Sequence, residues 1–245
     1  SVLAKRDGHR DRRGVTYVPL GVLGTQNLIN WQHPLNRGLV SHWLALPGRM
    51  GGSRFTDLAG KNHGTLTNGP LWSSAVGRPG GRGSIMLDGS ASYVNVGTFN
   101  LNVTPNPTWS VWARSSIAQN GKSPMSKVDT GDSSNAFYTY NAPDSWAFRI
   151  NNREAYASSS MTLNKWQFLT GVYDSSNVLL YIDGVQKAAF SYVGGGPSNT
   201  PTLPMRLGSL NAGAFFTGYV DDARVYNRAL SARDVAGLYQ ESRMG

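Results

Sequence analysis

From Gly38 to Tyr226 the apolar residues come in short alternating runs, each closed by Gly, Pro, Asn, Asp or Ser. That texture suits antiparallel β-strands and excludes long helices. Ser84–Asp88, Tyr93–Val96 and Trp109–Ala113 each fit a strand with one buried face, and Trp146–Ile150 alternates without a break. Trp166–Val172 and Val178–Ile182 flank Asp174–Asn177, which reads as the turn of a hairpin. Next, Asp183-Gly184 tolerates the positive φ angles of a type I′ turn, so a second hairpin returns through Val185–Lys187. Met205–Gly208 and Phe216–Tyr226 supply closing strands. Strands at ~8–12-residue spacing, with no helices between them, predict an all-β sandwich of two antiparallel sheets.

Composition supports this reading. Only 15% of the 245 residues are charged, against roughly 25% in an average domain, and 29 are Gly. The chain has no Cys, which removes disulfides, thiolate zinc sites and Cys nucleophiles and leaves stability to the apolar core. No run reaches the ~18 apolar residues of a membrane span, and residues 1–13 carry no apolar leader segment, so membrane insertion is not expected.

The two ends differ from the middle. Lys5, Arg6, Arg10, Arg12 and Arg13 outnumber Asp7 and Asp11, and Pro19, Gly21 and Gly24 interrupt the apolar residues between Val15 and Trp31. Residues 1–37 are therefore expected to form an extended basic N-terminal arm ahead of a domain over residues 38–245. At the C-terminus Ser231 and Asp234 are spaced as a reciprocal cap, which predicts a short helix to about Tyr239.

Several strings, in order, carry a family resemblance: Leu39-Val40-Ser41-His42-Trp43, the run from Phe55 to Leu66, Ile85-Met86-Leu87-Asp88-Gly89, Trp166-Gln167-Phe168, Leu180-Tyr181-Ile182-Asp183-Gly184, and the run from Gly218 to Ser231. Together they resemble the LamG-like, concanavalin A-like (lectin/glucanase) jelly-roll family over about residues 38–241. The resemblance implies a jelly-roll β-sandwich and membership among glycan-binding or adhesive modules of surface proteins, secreted enzymes and phage particles. It also implies a structural Ca2+ held by oxygen ligands, with Asp57, Asn62 and Asp221 at the matching positions. Asx-turns around Gly60 and Gly64, and pairing of Asp221 with Arg224 or another basic group, are the competing readings of those residues. After Asp88-Gly89 the family's further acidic residues are replaced by Ser90-Ala91-Ser92.

Catalytic chemistry is poorly supplied. Glycoside hydrolysis needs two carboxyl groups about 5–9.5 Å apart, yet the chain has only two glutamates, Glu154 and Glu241. Asp221 and Asp222 are adjacent, and on a regular strand adjacent side chains point to opposite faces. The four histidines follow no metal-binding spacing, and there is no G-x-S-x-G elbow. No catalytic residue is assigned. For sugar binding, Tyr138, Tyr140, Trp146, Tyr156 and Asn152 cluster in a stretch rich in Ser and Asn, although an aromatic on an alternating strand faces the core as readily as a ligand.

Together with the deficient catalytic acids and the arm, the resemblance implies a non-enzymatic structural, decoration or adhesion subunit of an extracellular or virion-surface assembly, with residues 1–37 contacting neighbouring subunits. An independent carbohydrate-binding module that recognises cell-surface glycans is the alternative, and a glycan-cleaving enzyme the third. Lys and Arg in the arm could also neutralise phosphates, but with no recognition helix nucleic acid is disfavoured.

Overall fold

The computed structural model describes residues 29–46, 48–98, 106–128, 135–141, 144–194, 203–210 and 213–244, with two short strands at 9–10 and 16–17. Those strands, β1 (His9–Arg10) and β2 (Thr16–Tyr17), form an antiparallel pair of their own. The sandwich then runs through β3 (Leu39–Trp43), β4 (Arg54–Phe55), β5 (Gly64–Thr67), β6 (Leu71–Ser73), β7 (Ser84–Asp88) and β8 (Tyr93–Thr98). It continues with β9 (Thr108–Ser115), β10 (Met125–Lys127), β11 (Asn135–Asn141), β12 (Asp144–Ile150) and β13 (Arg153–Ala157). β14 (Gln167–Tyr173), β15 (Asn177–Ile182), β16 (Val185–Ser191), β17 (Pro204–Leu207), β18 (Thr217–Tyr226) and helix α1 (Ala232–Met244) complete it.

Two antiparallel sheets result. One has the order β13-β12-β11-β10-β17-β8-β5-β4, the other β16-β15-β14-β9-β18-β7-β6, with β3 also on β18. Their facing sides close a core that includes Trp43, Trp109, Trp146, Phe148, Phe216 and Val220. The expected hairpins form: Tyr173 pairs with Val178 across the Asp174 turn, and Ile182 with Val185 across Asp183-Gly184, both at positive φ. Asn151 and Asn152, also at positive φ, make the equivalent two-residue turn between β12 and β13.

The long strand β18 changes neighbours halfway. Thr217–Val220 pair with β7 and Ala223–Tyr226 with β3, while β9 runs along the other side. At the change a β-bulge shifts the register between Asp221 and Arg224, with Asp222 at φ 47°. The extra residue resets the alternation, so Val220, Ala223 and Val225 all reach the core. Asp221 and Asp222 then lie on the same side, where Arg78 contacts both carboxylates. The opposite-face expectation for this pair is thereby corrected, because it assumed an unbroken strand.

A second apolar layer covers the outer side of the β9–β18 sheet. Helix α1 contributes Val235 and Leu238 against Trp112, Phe168 and Tyr226. The Ser231 hydroxyl accepts from the Asp234 amide (3.1 Å) while the Asp234 carboxylate accepts from the Ser231 amide (3.3 Å), the reciprocal cap read from the sequence. The helix runs past Tyr239 to Met244 because its last turn is anchored: Trp112 Nε1 donates to Ser242 Oγ at 3.0 Å, and Arg78 donates to the Ser242 carbonyl. Ile29 and Leu35 join this layer, so the end of the segment assigned to the arm, residues 29–37, packs against the domain.

Candidate functional site

The loop after β4 is wound around one carboxylate. Asp57 Oδ1 accepts from the His42 amide (2.8 Å) and the Ala59 amide (2.9 Å), and Oδ2 from the Lys61 (3.3 Å) and Asn62 (3.0 Å) amides. Asn62 fixes the far end, its carbonyl accepting from Trp43 Nε1 (2.6 Å) and its side-chain amide donating to Ser41 Oγ (2.7 Å). His63 Nδ1 accepts from the Asp57 amide at 3.1 Å, which leaves the imidazole proton on Nε2. Burial, with Arg54 nearby, lowers the His63 pKa and favours that neutral form.

This rigid loop forms one wall of a groove of about 870 Å3. Trp31, Arg49, Arg54 and His63 supply its aromatic and nitrogen-bearing groups. Trp31 is 51% exposed. Arg54 reaches the groove because it alternates with Phe55, which is buried in the core. Among the described residues the carboxylate lining the groove is Asp57, whose oxygens are occupied by four amides, so the polar character of the groove is that of a donor surface.

Behind the groove lies a buried ionic network at the β18 bulge. Asp222 Oδ1 is 2.7 Å from both His42 Nε2 and Arg224 Nε, and Oδ2 is 3.3 Å from Arg78. Asp221 accepts from Arg78 Nε (3.0 Å) and the Ala45 amide (2.8 Å). Burial opposes the Asp222 charge, but Arg224, His42 and Arg78 hold its carboxyl well below the usual carboxylate range. Asp221 is pushed up to about 7 by burial, Arg78 pulling against the shift and Asp222 adding to it. Burial and then Arg224 depress His42. His42 links network and groove, its imidazole on Asp222 and its amide on Asp57.

The sugar-binding candidates divide: Tyr138 and Tyr156 flank Ala147 on one face of adjacent strands, and Trp146 points to the other face. Trp146 is fully buried, its Nε1 donating to Gln167 Oε1 at 3.0 Å, so it has no face for a ligand and is corrected to a core residue. Tyr138 is buried and carries the Arg149 guanidinium 4.2 Å from its ring centre. Asn152 is spent on the hairpin turn. The side chain of Tyr140 lies outside the described residues. Tyr156, 41% exposed, lines a second cleft of about 500 Å3 with Ser159, Thr162, Lys165 and Lys187. Of the arm residues, Arg10 lies in β1, and Lys5, Arg6, Arg12 and Arg13 fall outside the described residues.

Asp57, Asn62 and Asp221 do not fit a calcium ion. Amide hydrogens occupy the Asp57 oxygens, Arg78 and an amide occupy those of Asp221, and the Asn62 side chain is itself donating. A cation there would meet donors instead of free lone pairs. Among the described residues no group of three His, Asp or Glu side chains is placed to hold a metal. Asp88 is engaged in the same way, accepting from the amides of Ser90, Ala91 and Ser92.

The sequence reading missed Trp31, Arg49, Arg54 and His63 as a set. The available signal was Trp31 itself, an aromatic flanked by Asn30, Gln32 and His33 instead of an apolar alternation.

A family model described as the concanavalin A-like lectin/glucanases superfamily matches residues 88–236, and the chain belongs to that family. No match is found among curated proteins. Domain 4 of AbnA, a GH43 extracellular arabinanase from Geobacillus stearothermophilus solved with arabinotriose, aligns with a TM-score of 0.61 at 17% identity, covering 82% of this chain and 98% of that one. The botulinum neurotoxin serotype D binding domain aligns at 0.63 and 16%, covering 84% of this chain and 52% of that one. A sialidase from Trypanosoma rangeli aligns at 0.62 and 15%, covering 85% of this chain and 33% of that one. At these identities the likeness is one of fold, and it spans binding domains and parts of enzymes. Among the described residues no helix is long and apolar enough to cross a membrane.

Proposed function

We propose that the protein is a non-catalytic carbohydrate-binding module whose saccharide packs against Trp31. The observation that carries the reading is this half-exposed indole at a groove whose polar groups are Arg49, Arg54 and His63. Sugar rings offer C–H patches that rest on an aromatic face, while their oxygens take hydrogen bonds from fixed donors. The carboxylates argue against cleavage: Asp57 is saturated by amides, Glu154 is bound by Arg149 at 2.6 Å, and Glu241 lies 3.2 Å from His33. The arabinotriose complex of the arabinanase domain is in keeping with a binding role for this fold.

Trp31→Ala tests the reading on a glycan array and by calorimetry with each oligosaccharide retained. Binding should weaken at least tenfold with the melting temperature unchanged. Equal binding by the variant, or no glycan bound by the wild type, would refute it, and turnover of a bound glycan would refute its non-catalytic half.

A structural or decoration subunit of an extracellular or virion assembly is the second reading. It is favoured by β1 and β2, which pair with each other and, among the described residues, with no strand of the sandwich. Because Ile29 and Leu35 belong to the domain's own packing, the informative deletion is residues 1–28. Light scattering should show loss of the higher-order species on that deletion; an unchanged mass counts against the arm as a strap.

A further inference from the structure

We infer that the Trp31 groove selects acidic saccharides, with the carboxylate of a uronate-type sugar held by Arg49 and Arg54. The inference rests on the carbohydrate-binding reading and names the ligand class of the same site. Among the described residues neither guanidinium has an ion pair or a side-chain hydrogen bond, whereas four arginines elsewhere in the domain, Arg78, Arg149, Arg224 and Arg228, each contact a carboxylate within 3.3 Å. Two guanidinium groups with no carboxylate partner among the described residues thus line one groove, and the oxygens of the Asp57 carboxylate beside them are occupied by four amides.

Each part of such a ligand has a counterpart. A guanidinium presents a planar fork of N–H donors that matches a carboxylate in two parallel hydrogen bonds. Trp31 offers a face for the ring, and the neutral His63 offers a donor at Nε2 for a hydroxyl. A neutral sugar would leave the two guanidinium forks to water and to its hydroxyls, whereas an acid gains charge-assisted hydrogen bonds, so the groove discriminates in favour of the acid. The formal charge of +9 attracts anions in general; discrimination comes from two guanidinium groups that no carboxylate contacts among the described residues.

The test compares trigalacturonate with galactotriose by calorimetry on the full chain, using wild type, Trp31→Ala and the double variant Arg49→Gln/Arg54→Gln. The acid should bind the wild type at least tenfold tighter than the neutral trimer. The double variant should lose that preference, weakening the acid far more than the neutral trimer, and added salt should weaken chiefly the acid. Equal affinities for the two trimers in the wild type, or a preference that survives the double variant, would overturn the inference while Trp31-dependent binding still stood. Loss of all binding to both trimers would remove the carbohydrate reading with it. Two further probes fix the chemistry: a sulfated galactan tetrasaccharide without uronate or an eight-residue oligothymidylate that binds through the same arginines, where trigalacturonate does not, would overturn the uronate assignment.

Discussion

Two pairs of arginines, in two regions of this protein, are treated by the fold in opposite ways. Arg78 and Arg224 sit behind β18, almost wholly enclosed, and are answered by Asp221 and Asp222. Arg49 and Arg54 face a groove and are answered by no carboxylate among the described residues. Burying an unpaired charge is far more costly than exposing one. The first pair therefore belongs to the architecture, and the second is available for a partner. His42 joins the regions, since it ties the Asp222 network to the Asp57 loop that shapes the groove.

The largest effects should come from the enclosed side. Asp222→Asn keeps a residue that tolerates φ 47° but removes the charge that Arg78, Arg224 and His42 share. It should lower the unfolding free energy in urea by about 3–5 kcal/mol; a loss below about 1 kcal/mol would dissolve the contrast between the two pairs. Trp146→Ala should be comparably damaging, about 3–5 kcal/mol, because the ring is fully buried. Ser231→Ala removes one half of the helix cap and should cost about 1 kcal/mol by the same measurement.

Lys127 extends the comparison to a lysine. Burial lowers its pKa from 10.5 to about 8. In that interval the unfolded chain still holds a proton that the folded chain has released, so the Lys127 contribution to stability rises with pH from about 8 to 10.5. Lys127→Met should raise the melting temperature most at pH 7, with the advantage shrinking as pH climbs through that window. A pH-independent difference would show that the ammonium is not penalised in the fold. At the small end, Arg49→Gln, Arg54→Gln and Trp31→Ala should each change stability by no more than about 0.5 kcal/mol. A larger loss would move these residues into the architectural class.

Much of the fold was legible because local chemistry and tertiary packing agree. The alternation of Trp146–Ile150, the Asp-Gly turn and the Ser231/Asp234 cap each hold in the structure. The Asn151-Asn152 turn was legible in principle, since Asn tolerates positive φ, but was read as ligand-binding chemistry. The bulge left a trace as well: apolar residues at 220, 223 and 225 break a strict period of two, and reading that break would have put both aspartates on one side. For single aromatics the sequence could not separate core from ligand. Trp146 and Trp31 are the same residue type, and which one is enclosed depends on which sheet faces cover it.

The sequence alone determined an all-β sandwich built from hairpins and closed by a capped helix, because turn residues and alternation act over a few neighbouring positions. It also determined a large positive charge. Only the tertiary structure decided which of those charges are neutralised inside the fold. Asp222 lies 180 positions from His42 and Asp221 lies 143 from Arg78, and no local pattern encodes contacts at such separations. The same long-range assembly set Trp31, Arg49, Arg54 and His63 around one groove, because a site of this kind exists only where separate loops meet.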